Sequence, residues 1–90
     1  MEKNLNSKIE EKIKNILVSE LDVNPATIAD CNSDTPLLGR GIGLDSMETL
    51  SLVAGIEKEF DIEIPDDDLT VELFRSIGTL AEYIIKKSGE

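Results

Sequence analysis

The chain has 90 residues, with 9 Lys+Arg against 19 Asp+Glu for a formal net charge of −10, 40% hydrophobic and 3% aromatic residues, and no histidine. That length fits one small domain with a single modest core and no room for a large enclosed active site. The absence of histidine excludes Ser-His and Cys-His nucleophile pairs and every His-containing metal site, while one cysteine, Cys31, excludes an intrachain disulfide and a Cys-based zinc cage. The acidity opposes nucleic acid and anionic membrane surfaces, both of which call for a basic footprint. Met1-Glu2-Lys3-Asn4 leads into charged residues rather than an apolar run, so neither a signal peptide nor a membrane span is expected. The cytoplasm is the default location.

Leu5, Ile9, Ile13, Ile16, Leu17 and Leu21 recur at spacings of three or four with charged residues between them, which predicts an amphipathic helix over about residues 4–21. From Asp22 to Leu44 the period is lost. Asn24-Pro25, Asn32-Ser33-Asp34, Pro36 and the glycines Gly39, Gly41 and Gly43 mark turns there. Structureless connections longer than about 12–15 residues are uncommon, so Ile28, Leu37, Leu38, Ile42 and Leu44 are expected to tack this loop onto the core.

Asp45-Ser46-Met47-Glu48 has the capping-box spacing, and Met47, Leu50, Val53, Ala54 and Phe60 continue an apolar stripe, so a second helix is expected over 45–60. Gly55 inside it costs about 1 kcal/mol relative to Ala and suggests a close helix crossing. Ile62-Glu63-Ile64 reads as a short extended link. Pro65 followed by Asp66, Asp67 and Asp68 suits a first helical turn, giving a short third helix over 66–74. Ser76 caps a fourth helix over 76–87, whose stripe is Ile77, Leu80, Ala81, Ile84 and Ile85 and whose end carries Lys86-Lys87. Nothing alternates with strand period over a useful length. The expected fold is all-α: a small four-helix bundle of three longer helices and one short third helix, with a long loop between helices 1 and 2.

Ser46 follows the glycine-rich run and stands in the first turn of a helix. Serine is ordinary helix-start chemistry. The same position also suits an anion, because the unpaired amides and the dipole of a helix N-terminus would stabilise a phosphate esterified to this hydroxyl. The chain offers no base to activate the serine, so such an ester must be installed by another enzyme.

Gly43-Leu44-Asp45-Ser46-Met47, an amphipathic helix, and then Glu59-Phe60-Asp61-Ile62-Glu63-Ile64-Pro65-Asp66 together resemble the acyl carrier protein family. That family is marked by an Asp-Ser-Leu triplet opening the second helix of a four-helix bundle, and by a Glu-Phe-x-hydrophobic-x-Ile-Pro stretch into a short acidic helix. The resemblance runs from about Leu5 to Ile85. It implies that a phosphopantetheinyl transferase attaches 4′-phosphopantetheine from coenzyme A to Ser46, flanked by Asp45 and Met47 as recognition and packing positions. Acyl groups would then be held as thioesters on the arm, with the chemistry belonging to partner enzymes. It also implies a core that opens to shelter an acyl chain among Leu50, Val53, Ala54, Phe60, Ile64, Phe74, Ile77 and Ala81. Met47, Ile56 and Ile84 are further core candidates.

Residues 44–72 hold ten acids and one base, Lys58, while the other 61 residues hold nine acids and eight bases. Nearly all the excess charge therefore lies beside Ser46, where basic docking patches of partner enzymes can be steered. Glu48, Glu57, Glu59, Asp61 and Arg40 are the candidate recognition residues. Cys31 reads as an incidental thiol. Asp66-Asp67-Asp68 lacks the pattern of a calcium loop, and the glycine run lacks the Gly-Lys-[Ser/Thr] ending of a nucleotide-binding loop and is read as flexibility near the arm. No metal site is expected.

Arg40, Ser51 and Met47 depart from the residues common at these places in the family and point to a specialised carrier. Two other readings stay open: an aminoacyl or D-alanyl carrier loaded by an adenylating ligase, and an unmodified helical adaptor. A monomer is the default.

Overall fold

The computed structural model describes residues 2–39 and 41–88, with side chains in the first helix from residue 7 onward. Among the described residues four α-helices form: α1 at Glu2–Ser19, α2 at Pro25–Ala29, α3 at Ser46–Phe60 and α4 at Ile77–Ser88. Among the described residues there is no strand. The expected all-α bundle is present, with α1 packing against α4 most extensively and also against α3 and α2. Ile13, Leu17, Leu52, Ile56, Ile77, Leu80 and Ile84 are fully buried where these helices meet. No charged or polar side chain shares that core among the described residues. Leu5 of the predicted stripe lies outside the described side chains.

Two elements differ from the sequence expectation. Asn24-Pro25, read as a turn, starts α2: the Asn24 side chain accepts from the Ala26 amide at 2.8 Å and Pro25 occupies the first turn, where its missing N–H costs nothing. The helix expected over 66–74 is instead a 3₁₀ turn at Asp66–Asp68 followed by further turns. Its backbone bonds span three residues, from Asp68 to Pro65, Leu69 to Asp66, Leu73 to Thr70 and Phe74 to Val71. Leu69 at φ −82°, ψ 78° leaves helical geometry, and the β-branched Thr70 and Val71 that follow do little to restore it.

The long connection between α1 and α3 is organised by what α4 lacks. The first amides of a helix have no intrahelical acceptor, and those of Ile77 and Gly78 donate to the carbonyls of Thr35 at 3.0 Å and Ser33 at 2.8 Å. Ser76 caps the same end by accepting from the Thr79 amide at 3.1 Å. Leu37 adds a third crossing, its amide donating to the Phe74 carbonyl at 3.3 Å, with its side chain fully buried.

Gly55 is the close crossing that the sequence suggested. A Cβ there would stand 2.9 Å from Cγ2 of Ile16 on α1, so only a glycine lets α3 approach this near without displacing a core methyl. The buried face of α3 is Leu52, Val53 and Ile56. Met47 at 73% and Leu50 at 57% are exposed, as is Ala54, so these three core expectations are corrected. The apolar residues of α3 form two adjacent stripes, and α1 takes the one that contains Gly55 and Leu52.

Candidate functional site

Asp45 makes the start of α3. Its backbone is extended, its carboxylate accepts from the Glu48 amide at 2.8 Å, and the Glu48 carboxylate accepts from the Asp45 amide at 3.1 Å, the reciprocal arrangement that the spacing predicts. Thr49 closes the turn by donating its hydroxyl to the Asp45 carbonyl at 2.8 Å. Ser46 is thereby fixed as the first helical residue, exposed, with its hydroxyl at the positive end of a 15-residue helix. Both carboxylates beside it are committed to backbone amides, and no histidine exists in the chain. Ser46 therefore has access and electrostatic support for an anion, but no built-in base.

An apolar groove of about 470 Å³ opens beside this serine. Its lining comes from two chain segments and the helix between them in sequence: Leu38, Leu44, Asp45 and Ser46, taken as one lip; Thr49, Leu50 and Val53 of α3; and Leu69, Thr70, Val71 and Phe74, taken as the other lip. That volume is within the range of small-ligand clefts, about 300–1,000 Å³. Of the eight residues expected to shelter an acyl chain, Leu50, Val53 and Phe74 line the groove. The other five lie elsewhere: Ile64, Ile77 and Ala81 are buried in the core, Phe60 is half-buried and Ala54 faces solvent. Val71, 76% exposed within a run of acids, and Leu69 and Thr70 beside it were not anticipated. Their role depends on the 66–74 segment being a chain of turns, which carries no periodic signal.

Several of the acids that follow Ser46 have local partners. Glu48 belongs to the capping box. Glu57 is half-buried and accepts from the Ile64 amide at 2.8 Å. Glu59 pairs with Lys12 across the α1–α3 contact at 3.3 Å. Asp61 ends α3 in the left-handed conformation, φ 54°, while the Ile62 amide donates back to the Glu57 carbonyl at 3.2 Å. Asp68 accepts from the Tyr83 hydroxyl at 2.6 Å. Arg40 lies outside the described residues.

A protein-family profile described as a phosphopantetheine attachment site matches residues 11–84. Among curated proteins, the acyl carrier protein of Picosynechococcus sp. is 39% identical over 85 residues, covering 94% of this chain and 98% of that protein. The acyl carrier protein of Chlorobium phaeobacteroides is 33% identical over 81 residues, covering 90% and 96%, and that of Caulobacter vibrioides 33% over 83 residues, covering 92% and 99%. The chain belongs to the acyl carrier protein family. Membership makes it a carrier rather than a catalyst and implies a covalently attached 4′-phosphopantetheine. The residues present fit such a group: attachment needs an exposed nucleophile in reach of a modifying enzyme, which Ser46 provides, and no enclosed cavity. Among the described residues no helix is long and apolar enough to cross a membrane.

Proposed function

We propose that Ser46 is the attachment residue and that the chain carries acyl intermediates as thioesters for fatty-acid, polyketide or other specialised lipid biosynthesis in the cytoplasm. The observation that carries the reading is the exposed serine opening a capped helix at the mouth of an apolar groove. A phosphopantetheinyl transferase using coenzyme A and magnesium would join Ser46 Oγ to the phosphorus of the arm and release the adenosine bisphosphate portion of coenzyme A. When bound, the group supplies a terminal thiol that holds acyl groups as thioesters. The chain's own contributions are the rigid helix end that presents the serine, the groove that shelters the cargo, and the acidic surface that steers basic partner enzymes.

Incubation with coenzyme A, magnesium and a promiscuous transferase tests the assignment by intact mass. The expected result is a gain of about 340 Da, the mass of the added arm, abolished in Ser46→Ala. No gain under conditions that modify a control carrier sinks the assignment and leaves an unmodified helical adaptor.

A further inference from the structure

We propose that the backbone bonds joining Pro36 and Leu37 to Ile42 and Leu44 form a clip that sets the separation of the two groove lips, with Gly41 as its positioning residue. The sequence reads this glycine-rich run as flexibility, but the geometry is that of a closed turn. The Ile42 amide donates to the Pro36 carbonyl at 2.9 Å and the Leu44 amide to the Leu37 carbonyl at 3.0 Å. The Leu37 amide in turn donates to the Phe74 carbonyl at 3.3 Å. These bonds run without interruption from the residue before the α3 cap to the opposite lip. Leu44 and Phe74, from the two lining segments, both line the groove, and Leu37, bonded to each, is fully buried.

Gly41 is what allows the turn to close. A Cβ at that position would overlap the Pro36 carbonyl oxygen and lie 2.6 Å from its carbon. Those are backbone atoms, so no side-chain rotation relieves the overlap, and any larger residue must push the turn away from Pro36. Since Ile42 and Leu44 are bonded to the same strand of backbone, that displacement separates the lips rather than staying local. Packed, hydrogen-bonded elements shift between discrete arrangements instead of deforming smoothly.

The clip rests on the reading that the groove shelters the acyl chain. Its test uses the holo chain loaded with an acetyl or a decanoyl thioester and compares their rates of cleavage by hydroxylamine, which converts the thioester to a hydroxamate and frees the thiol. If a decanoyl chain is sheltered about four-fifths of the time, its thioester reacts about fivefold more slowly than the acetyl one. In Gly41→Ala the two rates should become equal. In Gly55→Ala, which crowds Ile16 on the α1–α3 contact, the fivefold difference should persist despite a lower unfolding temperature.

Equal rates in the unsubstituted protein overturn the sheltering reading itself. Fivefold protection retained in Gly41→Ala overturns the clip alone, as does its equal loss in Gly55→Ala. Should Gly41→Ala fail to fold, amide exchange in the unsubstituted protein decides. By reciprocity of linked equilibria, decanoyl loading should slow exchange at Ile42 and Leu44 by about the same fivefold, and unchanged exchange refutes the clip.

Discussion

Glu57 offers a direct measure of how far the acids near Ser46 serve the fold. Its carboxylate accepts from the amide of Ile64, a residue only 6% exposed, at 2.8 Å, and so holds the extended 62–64 link against the end of α3. In Glu57→Ala that amide loses its partner. A hydrogen bond to a charged group contributes about 1.5–3 kcal/mol, and the lower end applies because Glu57 is half-buried and water recovers part of the loss. Two terms act in the opposite direction: alanine is the better helix former, and removing an acid from the last turn relieves its repulsion with the negative end of the helix dipole.

Glu59→Ala is the matched comparison, since Glu59 stands in the same turn and loses only an exposed pair with Lys12, each side chain about half accessible. Such a pair contributes about 0–1 kcal/mol. The propensity and dipole terms act on both variants, so the difference between them is about 1 kcal/mol, or about 1 M in the urea midpoint at a slope of about 1 kcal/mol/M for a chain this small. Glu57→Gln keeps an acceptor oxygen and should recover more than half of the loss. Equal midpoints for Glu57→Ala and Glu59→Ala, or no recovery in Glu57→Gln, would refute this account.

Asp45→Ala removes the carboxylate that caps α3, and should cost about 1–2 kcal/mol in equilibrium unfolding while lowering the helical circular dichroism. Gly55→Ala gains about 1 kcal/mol of helix propensity but loses about 1–3 kcal/mol to overpacking against Ile16, for a net fall in unfolding temperature of several degrees. Charge reversal at Glu48, Glu57 or Asp61 should slow association with a modifying transferase about threefold or more at low salt, against little change for Glu11→Lys on α1. Rates that fall equally for all four return the acidity to a solubility role.

The helices that could be read from the sequence are those with both a period and an end signal. Asp45 with Glu48, and Ser76 before an apolar stripe, gave starts that the structure reproduces to within a residue. The short α2 had its signal in Asn24-Pro25, but the same pair marks turns, and five residues are too few for a period to decide between them. Leu50 and Met47 show the limit of periodicity. With apolar residues on two neighbouring stripes of α3, the spacing cannot say which one meets α1, and the choice falls to Gly55, the position where the two helices approach. Ser46 and its cap were legible because capping is local. The far lip of the groove was not, because Leu69, Thr70 and Val71 are brought there by long-range bonds between the 33–37 loop and the 74–78 segment.

The same distinction between local and long-range bonding bears on the charge. A net of −9 within residues 44–72 repels itself and works against compactness. In the structure Asp45, Glu48 and Glu57 each accept from a backbone amide, Glu59 pairs with Lys12, and Asp68 accepts from Tyr83. Except in the Glu59–Lys12 pair, where the cation offsets the carboxylate, each of these bonds uses part of a carboxylate and leaves its charge in place, so the fold recovers stability from groups whose field still reaches solvent. Glu63, Asp66 and Asp67 are exposed and add to that field next to the groove lip. If basic enzymes dock beside Ser46, as proposed, acidity arranged in this way serves docking and folding together. A basic partner approaching Ser46 would meet a surface on which Asp45, Glu48, Glu57, Glu59 and Asp68 are already oriented, so less side-chain freedom would be lost on binding there than against mobile charges.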